Sequence, residues 1–281
     1  MDGVGLSYEL LNGDCLELMA KLPDGSIDMI LCDLPYQVTK NDWDVALPLD
    51  ELWKQYSRII KPNGAIVLFA EGMFMARLMM SNQKMWRYNL VWDKVLTSGF
   101  LNANRMPLRQ HEQLCVFYKK LPYYNPQKKV GKTSSHSKGK PKVCENNNYG
   151  SYGFVDNVDK HGNMKYPTSI MRYQKPHPSK AFHPTEKALG LLVELVCMYT
   201  KEGETVLDNC AGSMSTVLAC LDTNRNCIAI EKDEGYFNVG CNRVRSYIVD
   251  NNLNLQHRTL SRGVVSWECS KTEQAKDMEN F

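Results

Sequence analysis

The chain has 281 residues, 43% hydrophobic and 23% charged, a balance that excludes general disorder and fits one large α/β domain or a core domain with a smaller module. Its formal net charge of +3 is too small to argue for a polyanionic partner alone, and its longest apolar runs, such as residues 66–70 and 190–193, are far too short to cross a bilayer. The amino terminus lacks the layout of a secretory signal, and ten scattered cysteines with no C-x-x-C pair predict reduced thiols in a soluble, cytoplasmic protein without structural zinc.

In chain order, residues 26–32 (SIDMILC) form an apolar run of the length expected for a buried strand. Residues 49–60 (LDELWKQYSRII) have helical spacing and stop at the turn signal Lys61-Pro62-Asn63-Gly64. Residues 65–70 predict a second buried strand, 73–80 a helix and 89–92 the core of a further strand. Strands alternating with helices point to parallel pairing in an α/β sheet. From 97 to about 180 this alternation lapses into Lys, Asn, Gly, Ser, Pro and Tyr, and only 113–118 (QLCVFY) predicts a strand. Such a stretch reads as an inserted functional module or a partly disordered segment. It carries eight lysines and no acid between 119 and 142 (Lys119, Lys120, Lys128, Lys129, Lys132, Lys138, Lys140 and Lys142). That is a concentrated field suited to a polyanion, or else a solvated lysine-rich loop. The alternation of strands and helices then resumes, with a helix over 186–199, a strand over 205–208, a helix over 213–221, a strand over 227–231 and a helix over 235–249. The expected organisation is a core of 1–96 and 181–250, an insertion over 97–180 and a polar tail over 251–281 with no assigned chemistry.

Two segments could carry chemistry. The strand at 205–208 ends in Asp208 and is followed by the small-residue turn Cys210-Ala211-Gly212-Ser213 and a helix, the layout of a nucleotide-type site at the carboxyl end of a parallel strand. The next strand ends in Glu231, whose carboxylate can accept both hydroxyls of a ribose. The G-x-G-x-x-G fingerprint is absent, which disfavours NAD or FAD and suits a ligand with a ribose and no phosphate, such as S-adenosylmethionine. The second segment, residues 30–36 (ILCDLPY), delivers Asp33 as an acceptor for an amine proton, Pro35 to stiffen the turn and Tyr36 as a ring for a planar base. Each segment alone also reads as an ordinary strand end with a tight turn.

Taken together, the segments resemble the amino-group (N6-adenine or N4-cytosine) DNA methyltransferases. Asp33-Leu34-Pro35-Tyr36 is similar to their catalytic D-P-P-Y tetrapeptide, and residues 208–216 (DNCAGSMST) to their methionine-binding region. His183-Pro184-Thr185-Glu186-Lys187 resembles the H-P-T-x-K element, Gly13-Asp14-Cys15 the amino-terminal G-D-C element, and Arg109, His111 and Glu112 a further family segment. Tetrapeptide first, variable region next and cofactor region last is the permuted order of the beta class. The resemblance implies a Rossmann-like methyltransferase sheet with helices on both faces, an inserted loop-rich target-recognition region, and S-adenosylmethionine as cofactor. It implies cofactor contacts from Asp14, Cys15, Asp33, Pro35, His183, Thr185, Lys187, Asp208, Asn209, Cys210, Ala211, Gly212, Ser213, Ser215, Thr216 and Glu231. Catalysis falls to Asp33, Leu34, Pro35 and Tyr36, by direct in-line attack of a flipped base's amine. Duplex DNA is the implied partner, held by the eight lysines, with Arg105, Arg109 and Arg172 as base readers and Trp43 closing over the base. Relatives of the class often form homodimers and serve restriction–modification systems; no residue speaks for a restriction endonuclease partner, or for a bacterial rather than a phage source. The Asp-led tetrapeptide favours adenine over cytosine by family association. Methylation of RNA or of a protein glutamine is disfavoured by the permuted order and the basic insertion. One departure, Met214 in place of the family's second glycine, sets a bulky side chain in the cofactor turn, and a DNA-binding protein with a decayed cofactor site is the corresponding alternative.

Overall fold

A computed structural model describes residues 7–36, 47–131, 142–146, 150–155, 164–176, 186–253, 257–261 and 264–266. The first half runs β1 (Ser7–Asn12), α1 (Cys15–Met19), β2 (Ile27–Asp33), α2 (Leu49–Ile59), β3 (Ile60–Ala70), α3 (Gly72–Ser81), β4 (Trp86–Ser98) and β5 (Arg109–Phe117). Short strands β6 (Lys129–Val130), β7 (Lys142–Asn146), β8 (Gly150–Val155) and β9 (Met164–Lys165) precede β10 (Ile170–Arg172). The chain continues with α4 (Leu189–Tyr199), β11 (Thr205–Asp208), α5 (Ser215–Asp222), β12 (Asn226–Glu231), α6 (Glu234–Asp250), β13 (His257–Ser261) and β14 (Val264–Ser266).

Ten strands form one sheet in the order β10-β4-β5-β3-β2-β11-β12-β1-β13-β14. All run in one direction except β5 and β14. The exception at β5 falls in the stretch where strands and helices cease to alternate in the sequence. No crossover helix separates β5 from β4, only a link with a short 3₁₀ turn over Phe100–Asn102, so the two strands fold back on each other.

The central strands are buried on both faces, which is why their sequences are unbroken apolar runs. In β2, Met29 and Leu31 face one layer with α4, α5 and α6, while Ile30 and Cys32 face the other with α1, α2 and α3. Helix α2 packs Leu52, Trp53, Tyr56 and Ile59 against the second layer, at the spacing of one helical stripe. It ends at Ile59, and the expected turn at Lys61-Pro62-Asn63-Gly64 becomes instead an irregular start to β3, where the register shifts between Ile27↔Ile60 and Met29↔Ala65. A Cβ on Gly64 would lie 2.7 Å from the Asp28 carbonyl, so the close approach of β3 to β2 requires glycine.

Residues 126–168 form a compact unit distinct from the rest of the chain, within which β6 pairs with β9 and β7 with β8. This unit is narrower than the 97–180 stretch marked out by composition, because β5 and β10 belong to the main sheet. The polar end of the chain supplies β13 and β14 to the sheet beyond β1. Among the described residues, no helix is long and apolar enough to cross a membrane.

Candidate functional site

Strands β2 and β11 are parallel neighbours at the middle of the sheet, so their carboxyl ends, Asp33 and Asp208, emerge on one edge. Next to β11, β12 ends in Glu231, and β1 beyond it leads into Asp14. These strand ends open on one cavity of about 930 Å³, lined by both Asp33 and Asp208. Crevices beyond the carboxyl ends of parallel strands, where the chain switches direction along the sheet, are where α/β folds bind ligands.

At one end lies the Asp33-Leu34-Pro35-Tyr36 turn, all four residues lining the cavity. The Tyr36 hydroxyl donates to Asp33 Oδ1 at 2.5 Å, and the Lys187 ammonium meets Asp33 Oδ2 at 2.7 Å. Lys187 also pairs with Glu112 at 2.9 Å, and Glu112 with Lys94 at 3.2 Å. Burial pushes the Asp33 carboxyl above its ordinary range, and Lys187 opposes that push. For Glu112 the balance is reversed: burial raises it, but Lys187 and Lys94 together hold it below the usual carboxylate range. The Tyr36 ring stacks on Phe74 with centroids 4.8 Å apart. Cys32, also in the lining, is pushed up to about 12 by burial, so it offers no thiolate nucleophile.

At the other end, Asp14, Cys15, Asp208, Asn209, Cys210, Ala211, Gly212, Ser213, Ser215, Thr216 and Glu231 line the same cavity. Asp14 caps α1 by accepting from the Leu16 amide at 2.9 Å and pairs with Lys232 at 3.2 Å. Asp208 accepts from the Thr216 hydroxyl at 2.6 Å and the Cys210 amide at 3.2 Å, and burial raises its carboxyl to about 6. Asn209 is fixed by the Tyr56 hydroxyl at 2.5 Å. Glu231 accepts one backbone amide on each oxygen, from Gly212 and Asp233, both at 2.8 Å. These backbone bonds, with a further one from Lys232, hold the carboxylate rigid at the cavity wall.

Met214 does not obstruct this end. Its backbone takes a left-handed φ of 64°, as a glycine would, but its side chain is fully buried and does not line the cavity. A Cβ on Gly240 of α6 would sit 2.4 Å from Met214 Cγ, so Gly240 supplies the space into which the methionine turns. The bulk expected in the cofactor turn is in the core instead.

The remaining candidates are dispersed. His183, Thr185, Trp43, Lys132, Lys138 and Lys140 lie outside the described residues. Arg109 is at the cavity rim, paired with Glu71 at 3.3 Å; Arg105 is exposed; exposed Arg172 pairs with Asp93 at 3.6 Å. Lys119 donates to the Ser57 carbonyl at the end of α2, at 2.7 Å, while Lys120 and Lys129 are exposed. Lys128 lies 4.5 Å from the Tyr166 ring centroid, and Lys142 begins β7.

Lys94 and Arg243 carry no signal of a role in the sequence, while Glu112 is marked there only as part of a family-like segment. Lys94 is buried in β4 and Glu112 in part in β5, each beside other polar and charged residues of its strand, so no local pattern sets Lys94 apart. Arg243 of α6 donates to the Ser213 carbonyl at 3.0 Å, to Ser215 Oγ at 2.8 Å and to Glu186 at 2.6 Å, tying the turn to the segment that carries Lys187. Nothing in its local sequence points to this.

The profile of the DNA methylase family of the N6/N4 type matches residues 27–241. The Type II methyltransferase M.HindIII of Haemophilus influenzae is 23% identical, over 84% of this chain and 94% of that protein. Among solved structures, the M1.HpyAVI–SAM complex superposes with a TM-score of 0.56 at 21% identity, covering 84% of this chain and 99% of that one. The cytosine-N4-specific PvuII DNA methyltransferase does so with a TM-score of 0.59 at 15% identity, covering 94% and 99%.

Proposed function

Because the chain belongs to the N6/N4 DNA methylase family, we propose that it transfers a methyl group from S-adenosylmethionine to the N6 amine of adenine in duplex DNA. The observation that carries this reading is the shared cavity, with the Asp33–Tyr36 turn at one end and the Asp208–Glu231 turn at the other. The second end fits the cofactor chemically. Asp14, Asp208 and Glu231 make it acidic, which repels a pyrophosphate and favours a ligand carrying an ammonium and a sulfonium. The Glu231 carboxylate, fixed at the cavity wall, is an acceptor for ribose hydroxyls, and the small residues around Gly212 let an adenosyl group approach the backbone.

S-Adenosylmethionine supplies a methyl group on a sulfonium sulfur, which leaves as a neutral thioether. The protein's share is alignment and charge. The Asp33 carboxylate, with one lone pair of each oxygen engaged by Tyr36 and Lys187, has others with which to accept a hydrogen bond from the amine. That bond draws the nitrogen lone pair out of conjugation and toward the methyl carbon, and Asp33 takes up the proton the nitrogen sheds. The Leu34 carbonyl shares the amine's second hydrogen. Tyr36 is backed by Phe74 on one face and offers the other to the base. Reaching the amine requires the base to be flipped out of the duplex. Phosphate contacts are assigned to the lysines between 119 and 142, and base reading to Arg105, Arg109 and Arg172.

Adenine is preferred because Asp33, not a serine, heads the tetrapeptide. The test is to incubate duplex DNA with the protein and labelled S-adenosylmethionine, digest to nucleosides and identify the product by mass. N6-methyl-2′-deoxyadenosine is expected; N4-methyl-2′-deoxycytidine, which the likeness to the PvuII enzyme keeps in view, would transfer the reading to cytosine. Asp33→Ala should abolish transfer while calorimetry still detects cofactor binding. A fully active variant would remove Asp33 from catalysis.

A further inference from the structure

Lys187 sits in the segment whose resemblance implies a cofactor contact, yet its ammonium is already committed. The group is 10% exposed and lies 2.7 Å from Asp33 and 2.9 Å from Glu112. It also stands 4.8 Å from the centroid of Phe69 and 5.9 Å from that of Trp92. An ammonium has three donors. Two are engaged by carboxylates, and the aromatic faces occupy the direction left for a third. Behind it, Glu112 is held from the far side by Lys94, itself 5% exposed. Carboxylate and ammonium thus alternate from Asp33 through Lys187 and Glu112 to Lys94, across the tip of β2, the segment before α4, β5 and β4.

We propose that Lys187 and Glu112 are positioning residues for Asp33: Lys187 holds its carboxylate in place and ionised for the incoming amine, and Glu112 restrains Lys187 and limits how strongly it does so. The inference rests on the proposed reading of Asp33 as the group that meets the base. It reassigns Lys187 from the cofactor to the acceptor and gives Glu112 and Lys94 a function. The charges acting on Asp33 are of opposite sense. Lys187 favours its ionised form, while Glu112 disfavours it. Asp208 and Cys32 approach from β11 and β2, and Tyr36 donates to the carboxylate from the turn. Arg109 and Glu71, at the rim, pair with each other. Removing Lys187 or Glu112 should therefore move Asp33 in opposite directions, which a merely structural role would not do.

The experiment is the pH profile of kcat/KM for DNA methylation, whose acid limb reports ionisation of the free enzyme's essential carboxylate. In Lys187→Met the limb should move up by about 1–3 pH units, the effect of losing an opposite charge at this distance. In Glu112→Gln it should move down. Lys187→Arg should leave the limb close to that of the wild type while lowering kcat, because the fork of a guanidinium does not reproduce the ammonium's position. The affinity for S-adenosylmethionine, read by calorimetry, should change less than about threefold in all three. Coincident limbs in Lys187→Met and Glu112→Gln would overturn the proposal, as would a cofactor affinity lowered about tenfold or more with an unmoved limb. If Lys187→Met fails to fold, Glu112→Gln, which keeps the shape of its parent, still decides the sign. A wild-type protein that methylates no DNA would defeat the function itself, an outcome distinct from active variants whose profiles do not part.

Discussion

Asp208 illustrates what a ligand site costs a fold before any ligand arrives. Its carboxyl is buried at the end of β11, where hydrogen bonds from the Thr216 hydroxyl, the Cys210 amide and the Cys32 thiol compensate only in part, and burial raises it from 3.8 to about 6. Because the folded state binds this proton more tightly than the unfolded chain, the group is least harmful to stability below pH 3.8. The benefit of protonation is lost as pH rises through about 6, and above that the ionised carboxylate costs the fold roughly 3 kcal/mol. Asp208→Asn keeps an oxygen for the Cys210 amide and removes the charge. The variant should melt roughly 5 °C higher than the parent at pH 8, with the gain shrinking toward pH 4, and should bind S-adenosylmethionine more weakly. Thermal melts across that pH range, paired with calorimetry, check both halves. A melting temperature that falls at pH 8 would mean the carboxylate stabilises the empty fold, contrary to its burial.

The turn that follows Asp208 is shaped by two helices at once. Met214 precedes α5 in a left-handed conformation, which costs a non-glycine residue about 1–2 kcal/mol, and its side chain fills the space above Gly240 of α6. Gly240→Ala would drive a methyl group into Met214 and toward the Gly212 carbonyl, 3.2 Å away. It should destabilise the protein by about 1–3 kcal/mol. Met214→Gly relieves the backbone but empties a buried site, for a net loss of similar size. The double variant should lose clearly less than the two singles added together, since each removes what the other offends. Denaturant unfolding of the four proteins measures that coupling, and strictly additive losses would show that α5 and α6 do not meet in this way. The same pair marks a boundary of what the sequence makes legible. Strands β2, β11 and β12 can be read because burial on both faces writes an apolar run, and α2 because one buried stripe writes a helical repeat. The small-residue turn and the three strand-end acids are legible for the same reason, since each closes such a run. A methionine that takes a glycine's backbone and hides its side chain writes nothing local, and neither does Lys94; Glu112 shows only within a family-like segment, and its tie to Lys187 spans 75 residues of chain. The 13-residue β4 shows only its centre, 89–92, because polar side chains alternate along the rest.

At the scale of the molecule, charge is divided. The chain carries only +3 overall, yet residues 119–142 hold eight lysines and no acid, so the remainder is acidic on balance, as its cavity is. That division suits a protein that must hold a cationic small molecule in one place and a polyanion in another. The lysines are not equivalent, however. Lys119 is bound to the Ser57 carbonyl at the end of α2, and Lys128 lies against the Tyr166 ring; both serve the fold where they stand. Replacing Lys120, Lys129, Lys132, Lys138, Lys140 and Lys142 by Gln should therefore weaken binding to duplexes of any sequence. It should also flatten the dependence of log K on log salt by about 0.9 for each phosphate that is no longer neutralised. Lys119→Gln alone should lower the melting temperature and leave that slope nearly unchanged. Anisotropy titrations of a labelled duplex over a series of salt concentrations give the slopes. A multiple variant with the parent's slope would mean that these lysines do not touch the backbone, and the grip on DNA would have to be sought among the arginines instead.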